Sequence, residues 1–236
     1  MKHWLPWLLA IACIALFVGL GRWQLERAAE KQHAVDSLAR SLAEPRPQAI
    51  AARAASGPNR IDRVFAQGRF IDAPILLLDN QIREGAVGLR AYRVFQPDAL
   101  DQPVLVELGW LPVPPDRRLP ATVALETYYR LDGLLLPPPS AGLRFGPPGQ
   151  RLADGRWLLT RLDPAELSSV LGLEKPLLER VLRPDPADRI GYTRSLDVLS
   201  NTLPPEKHRG YAVQWFALAA AVAFVAVFLT FRRKAA

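Results

Sequence analysis

Two long apolar segments without charged residues enclose a more polar middle of the chain. The first, Trp4–Leu20, has 17 residues, and the second, Tyr211–Phe231, has 21. Because an α-helix rises about 1.5 Å per residue, about 20 apolar residues cross the hydrocarbon core of a membrane. The second segment has that length, and interfacial residues after Leu20 extend the first. The pattern predicts transmembrane helices at 4–22 and 208–231.

The middle segment opens with a helix-forming stretch. Residues 23–44 contain no glycine or proline and are rich in strong helix formers, whereas Pro45 and Pro47 follow directly. The first span is therefore predicted to continue as a helical extension over 23–44. Residues 45–207 remain for one β-rich domain, and 232–236 form a basic tail.

Short runs with strand character follow from residue 60. They carry alternating or continuous apolar residues and are bounded by Pro, Gly, Asp and Asn. Asp79-Asn80 and Glu84-Gly85 have the composition of turns. The predicted strands are Arg63–Phe70, Ile75–Leu78, Leu89–Phe95, Val104–Leu108, Val123–Leu136, Arg156–Arg161 and Leu178–Leu182.

One short helix interrupts these strands. Asp163 is a suitable N-cap, Pro164 suits the first helical position, and Gly172 can end the helix. The chain is therefore predicted to be an α+β membrane protein. Two transmembrane helices would flank an antiparallel, β-rich domain, folded as a sandwich or an open barrel with one short helix.

The distribution of charged residues, the cysteine content and the absence of catalytic motifs exclude several classes of function. The net charge is +7, but the basic residues are scattered, without a dense Lys/Arg stripe among aromatic residues, so nucleic-acid binding is not expected. The one cysteine, Cys13, lies in the first apolar segment, so the middle domain has no disulfide and no thiolate metal site. No nucleophile elbow, phosphate loop or plausible triad is present, and an enzyme is not expected.

The flanking charges predict the orientation. Arg232–Lys234 follow the second span and Lys2 precedes the first, which favours both termini in the cytoplasm and the middle domain outside. Basic residues also border the middle domain, but long loops cross a membrane largely regardless of charge. A cleaved signal peptide is the alternative for the first span. However, Gly21–Gln24 is not a small-residue cleavage site, so a retained anchor is preferred.

Three motifs are more specific than composition. They are Gly21–Gln32, the strand end Leu105–Trp110, and His208–Ala219, which opens the second span. In the third, His208, Tyr211 and Trp215 are spaced i, i+3, i+7 and share a helical face. An imidazole can ligate iron and aromatic rings can flank a porphyrin. An ordinary aromatic belt beside a solvated histidine is the alternative.

Together and in this order, the motifs resemble the Surfeit locus protein 1 family, whose members help to assemble haem-copper terminal oxidases. Gly68, the strand at 76–81 and the Gly85/Gly88 pair extend the resemblance. It implies a bacterial inner-membrane protein with both termini cytoplasmic, a periplasmic central domain and a candidate haem-iron ligand at His208. One departure is Leu108, where relatives often have a basic or polar residue. The remaining matching positions are Gly21, Trp23, Gln24, Arg27, Gly109, Trp110, Pro112, Tyr211, Trp215 and Phe216.

The resemblance implies an assembly factor that binds haem a transiently and aids its insertion into the oxidase catalytic subunit. Expected partners are that subunit, membrane lipid and the machinery of haem a synthesis. The haem contacts would come from His208, Tyr211 and Trp215. A cofactor-free membrane scaffold for the subunit, or an unrelated membrane-tethered binding module, remains open. His33 could be a second axial ligand, but a solvated helix face is the preferred interpretation.

Overall fold

The computed structural model describes residues 4–114, 116, 118–123, 125–139, 146–199 and 202–235, the last three of these by their backbone only. The chain divides into two compact units, one of Met1–Asp36 with Thr202–Ala236 and the other of Ser37–Asn201. Ala124 of the predicted strand Val123–Leu136 lies outside the described residues, and so do the side chains of Arg233 and Lys234.

Both apolar segments lie in long helices. Helix α1, Leu5–Ala43, is continuous and ends two residues before Pro45, as the helix-breaking prolines predict. The last helix, Pro205–Ala235, contains the second segment. Both helices are long and apolar enough to cross a membrane. The division of α1 into a span at 4–22 and an extension at 23–44 stays a prediction.

The elements described between these helices form one sheet with two short helices. In chain order they are β1 (Gln48–Ala49), α2 (Ile50–Arg53), β2 (Asp62–Phe70), β3 (Leu76–Arg83), β4 (Ala86–Pro97), β5 (Val104–Pro112), β6 (Tyr128–Leu136), β7 (Gly149–Arg151), β8 (Trp157–Leu159), α3 (Pro164–Val170) and β9 (Val181–Pro184), followed by α4 (Pro205–Ala235).

The strands curl into a barrel. Their order is β1-β2-β6-β9-β5-β4-β3-β8-β7, and an additional pairing of β2 with β4 closes a ring of β2, β6, β9, β5 and β4. Most pairings are antiparallel, as predicted, whereas β1–β2, β3–β8 and β5–β9 are parallel, so the sheet is mixed. The predicted α+β fold, with two long apolar helices flanking a β-rich domain, is confirmed, with the barrel rather than the sandwich as its architecture. Barrel closure leaves fewer exposed strand edges.

The turn signals are used in two different ways. Glu84-Gly85 forms the two-residue turn between β3 and β4, with φ of 52° and 80°. The prediction of a turn at Asp79-Asn80 is wrong, because both residues lie inside β3. There they form a bulge between Leu78 and Gln81, with Asn80 at φ 56°. Residues that tolerate a left-handed backbone serve a bulge as well as a turn.

Helix α3 forms as its end signals predict. Asp163 accepts hydrogen bonds from the backbone N–H of Ala165 (3.1 Å) and Glu166 (3.3 Å). Pro164 is the first helical residue, and Gly172 follows the helix with φ 63°. The side chain of Leu167 is fully buried and packs the helix against the sheet.

Candidate functional site

The two long helices pack along a seam in the two-helix unit. The rings of Phe17 and Trp215 stack with centroids 5.7 Å apart and an interplanar angle of 29°. One heptad further along α1, Gln24 contacts His208, which lies one heptad earlier in α4. Because the positions advance on one helix as they recede on the other, this part of α1 runs antiparallel to α4.

Small residues let these helices approach closely. A Cβ on Gly21 would lie 2.7 Å from the Phe216 ring, so a larger residue would require this ring to move. Ala28, Ala212 and Ala219 are also buried, although most of their neighbours along these helices are exposed. Close packing through small residues is typical of helices that associate in membranes, where apolar burial in water does not drive the contact.

His208 is half-buried at the start of this seam, and a neighbouring side chain selects the tautomer of its neutral imidazole. Its Nδ1 lies 2.7 Å from Oε1 of Gln24. An amide oxygen can only accept a hydrogen bond. Nδ1 therefore carries a hydrogen and donates a hydrogen bond to Oε1 of Gln24. No residue in the described part of the chain hydrogen-bonds Nε2 of His208. When the imidazole is in its neutral form, the lone pair of Nε2 is therefore available to a metal ion.

The structure separates the three predicted contact residues. His208 and Trp215 lie on the seam, where Phe17 covers one face of the Trp215 indole. Tyr211 lies on the outer side of α4 and its side chain is 41% exposed. The side of α4 that faces α1 contains positions 208, 212, 215 and 219. It therefore includes His208 and Trp215 and excludes Tyr211. Trp215 thus packs the two helices together, whereas Tyr211 is open to a ligand or to lipid.

Arg27 of the first motif and His33, just after the motif, lie on the surface. The Arg27 guanidinium lies 5.7 Å from the Trp23 ring centroid and pairs with Glu30 at 2.8 Å. His33 is exposed, which agrees with the preferred interpretation of a solvated helix face. Among the described residues, no group of three or more His, Cys, Asp or Glu side chains could hold a metal ion.

The second motif builds the barrel. Gly109 has φ of 119°, and a Cβ there would lie 2.6 Å from the carbonyl oxygen of Tyr192. Trp110 covers Gly88 and donates from Nε1 to the Gln81 carbonyl at 2.7 Å. Leu108 is 1% exposed and belongs to the barrel core. The departure at Leu108 therefore concerns an inward-facing position, and the side chain offers no polar contact there.

Two features escaped the sequence reasoning. Gln24 was matched as a motif position, but its contact with His208 joins residues 184 apart and needs the fold. A glutamine in an otherwise helix-forming, lipid-proximal stretch was the available signal. Buried Arg90, Glu107 and Arg183 also went unnoticed, because their sequence positions do not show that the barrel brings them together.

His208 and Tyr211 could hold a haem, with His208 as one axial ligand. The half-buried imidazole of His208 offers Nε2, and Tyr211 on the same helix is 41% exposed. A haem bound there would supply the iron. The chain would supply the ligand, its orientation and one aromatic neighbour.

The fold and this site define a class of protein, namely a small mixed β-barrel carried by two helices of membrane-spanning length. A family model described as the SURF1 family matches residues 11–220. Because the match covers most of the sequence, the chain belongs to the SURF1 family. This family is known in cytochrome oxidase assembly. The comparison with curated proteins gives no match.

Proposed function

We propose that this protein is an assembly factor for a haem-copper terminal oxidase. It binds haem a transiently through His208 and aids its insertion into the oxidase catalytic subunit. Membership of the SURF1 family supports the assembly role. The observation that carries the haem proposal is the 2.7 Å contact between Nδ1 of His208 and Gln24, which leaves Nε2 available.

A single ligand suits delivery rather than storage. Gln24 orients the imidazole and fixes its tautomer before the cofactor arrives, so binding needs no rearrangement of that side chain. The half-buried position of His208 gives access from one side. Since only one protein–iron bond would have to break, the cofactor can pass to a partner that offers a stronger ligand set.

The proposed setting is the bacterial inner membrane. Helices α1 and α4 would both cross it, with the barrel on the periplasmic side and both termini in the cytoplasm. The catalytic subunit would receive the haem, and the machinery of haem a synthesis would supply it. Membrane lipid would surround the outer faces of both helices.

A cofactor-free scaffold is the second candidate, and the Phe17–Trp215 stack favours it. This contact uses Trp215 to hold the helix pair together, as a purely structural role requires. In the scaffold hypothesis the unit docks the catalytic subunit, and His208 contributes only its hydrogen bond to Gln24.

The haem a content of the purified oxidase separates the two proposals. Cells would carry His208→Ala or His33→Ala, the second being a matched change at an exposed histidine of α1. Haem delivery predicts oxidase with a reduced haem a content per catalytic subunit in His208→Ala only. A normal haem content in both, at normal amounts of each variant, would support the scaffold.

A further inference from the structure

The barrel unit contains a polar cavity of about 370 Å³ that has no part in the proposed haem site. Its rim includes the β3–β4 turn, and its other side is the segment that follows β9. Three neighbouring strands contribute to its lining: β3 through Ile82 and Arg83, β4 through Arg90, and β5 through Glu107 and Trp110. The cavity is therefore built by the barrel itself.

Arg90 is an incompletely paired cation in the wall of this cavity. Glu107 Oε2 lies 3.0 Å from Nε of Arg183 but 3.5 Å from Nη1 of Arg90. Arg90 is only 9% exposed, and its Nε has no hydrogen-bond acceptor among the described residues. A buried guanidinium with unused donors is costly unless an anion completes its coordination.

Arg90 stays charged in this setting. Burial opposes its charge and is the largest single effect, but Glu107, Tyr92 and Asp197 together outweigh it, so the pKa of Arg90 is raised. Neighbouring Tyr92 cannot neutralise it, because burial raises the pKa of the Tyr92 hydroxyl. Two other guanidinium groups line the cavity: Arg194 donates to the backbone carbonyls of Leu108 and Asp188, and Arg83 lies 3.5 Å from the Glu84 carboxylate.

The acidic neighbours limit the charge of a ligand. Glu107 and Asp197 both line the cavity, and like charges repel a dianion more strongly than a monoanion. Next to the charged groups, the Trp110 indole is held by its bond to the Gln81 carbonyl, and Ile82 is 51% exposed at the rim. These two side chains offer a flat apolar wall.

We propose that this cavity binds a small organic carboxylate. The carboxylate accepts hydrogen bonds from Arg90, and an apolar body lies against Trp110. Arginine matches the planar geometry of a carboxylate, and such charge-assisted bonds are stronger than neutral ones.

Calorimetric titration of the full-length protein in detergent tests the proposal, with benzoate as the probe and the heat of empty micelles subtracted. Benzyl alcohol is the neutral comparator and phenyl phosphate the phosphate comparator. Arg90→Gln should weaken benzoate binding by about tenfold or more, because a charge-assisted bond is lost. Arg69→Gln, a change at an exposed arginine of β2, should leave it unchanged. Equal binding by both variants, or equal binding of benzyl alcohol, would overturn the proposal.

A second variant guards against a misfolded Arg90→Gln protein. Glu107→Gln removes the carboxylate that competes for Arg90, so benzoate should bind more tightly than to the original protein. Added benzoate should also raise the unfolding temperature of this variant more than benzyl alcohol does. If Glu107→Gln folds and binds benzoate no better, the cavity is not a carboxylate site. Binding of phenyl phosphate alone would likewise reject the carboxylate.

Discussion

At the scale of residues, a contact between two motifs orients a histidine and leaves one of its ring nitrogens available. Gln24 belongs to the motif at the end of the first apolar segment, and His208 opens the second. Each has an unremarkable role alone, as an interfacial polar residue or a solvated imidazole. Their hydrogen bond fixes the tautomer and gives the pair a chemistry that neither motif contains.

We expect Gln24→Leu to weaken haem binding while leaving His208 in place. Loss of an outer hydrogen-bond partner of a metal-binding histidine typically costs about 10–100-fold in affinity, so a reduction of about tenfold is expected. Haem titration of the detergent-solubilised protein, followed by absorption, measures it. Gln214→Leu on the exposed side of α4 is the matched control. An unchanged affinity in Gln24→Leu would exclude the proposed role of Gln24.

Asp188 predicts a pH dependence of stability. Burial, with Asp185 and Asp132 nearby, raises the pKa of Asp188 in the folded protein, and its Oδ2 has no hydrogen-bond partner among the described residues. The folded state therefore binds this proton more tightly than the unfolded state. The resulting stabilisation is present in acid and is lost as the pH rises through the raised pKa.

Asp188→Asn should therefore unfold at a higher temperature than the original protein at neutral pH, with a smaller difference at about pH 4, near the pKa of an unfolded aspartate. Thermal unfolding at both pH values measures the difference. Asp101→Asn, at an exposed loop position, should show no such pattern. A lower unfolding temperature for Asp188→Asn at neutral pH would contradict the assignment.

Single-residue roles were predictable only where the chemistry is local. The N-cap at Asp163 and the turn at Glu84-Gly85 depend on neighbours in sequence, and both are confirmed. The partner of His208 and the burial of Glu107 depend on residues far away in sequence. Hydrophobic pattern alone could not bring those groups together.

At the scale of elements, the packing of the two long helices depends on which side of each helix carries small residues. The seam of α1 and α4 has Gly21 opposite the Phe216 ring, whereas Gly19 has open space at its Cβ position. Gly19 and Gly21 are two residues apart in α1, but only Gly21 lies in the contact with α4. Their contrast supplies a matched test.

Gly21→Leu should lower the unfolding temperature of the two-helix unit, whereas Gly19→Leu should not. Overpacking of a tight contact typically costs about 1–3 kcal/mol, because Phe216 has to move before a leucine can enter. Helical circular dichroism of both variants during heating in detergent measures the effect. Equal unfolding temperatures for the two variants would show that the seam is not tightly packed.

The predicted bounds of elements agree with the structure where apolar runs are long and disagree where strands are irregular. Strand β3 continues past the predicted Leu78 because Asp79 and Asn80 form a bulge instead of ending it. The predicted strand Val123–Leu136 begins only at Tyr128. Strands β1 and β7 have two and three residues. They are too short to show an alternating pattern of apolar residues, so the sequence does not predict them.

At the scale of the whole molecule, the two apolar helices and a β-rich middle were predictable, but the barrel's ring order was not. Strand β9 lies between β5 and β6, far from its neighbours in sequence. A buried pair of Arg180 and Asp62, 2.6 Å apart, links sequence positions 118 residues apart. Such long-range partners need the fold to be seen.

The orientation of the whole chain is testable with two reporters. Alkaline phosphatase fused after Asp101 should be active, because the barrel is proposed to be periplasmic. A fluorescent protein fused after the basic tail should fluoresce in the cytoplasm. The opposite pattern would reverse the proposed orientation. N-terminal sequencing of the purified chain checks the retained anchor, since a mature protein that begins beyond the first apolar segment would reveal a cleaved signal peptide.

The most direct test of the central proposal is the visible absorption spectrum of the purified, detergent-solubilised protein after co-expression with haem a synthesis. We predict a Soret band in the original protein and in His33→Ala, and its loss in His208→Ala. A band that persists in His208→Ala would place the haem elsewhere. The absence of a band in every sample would contradict haem binding and favour the scaffold.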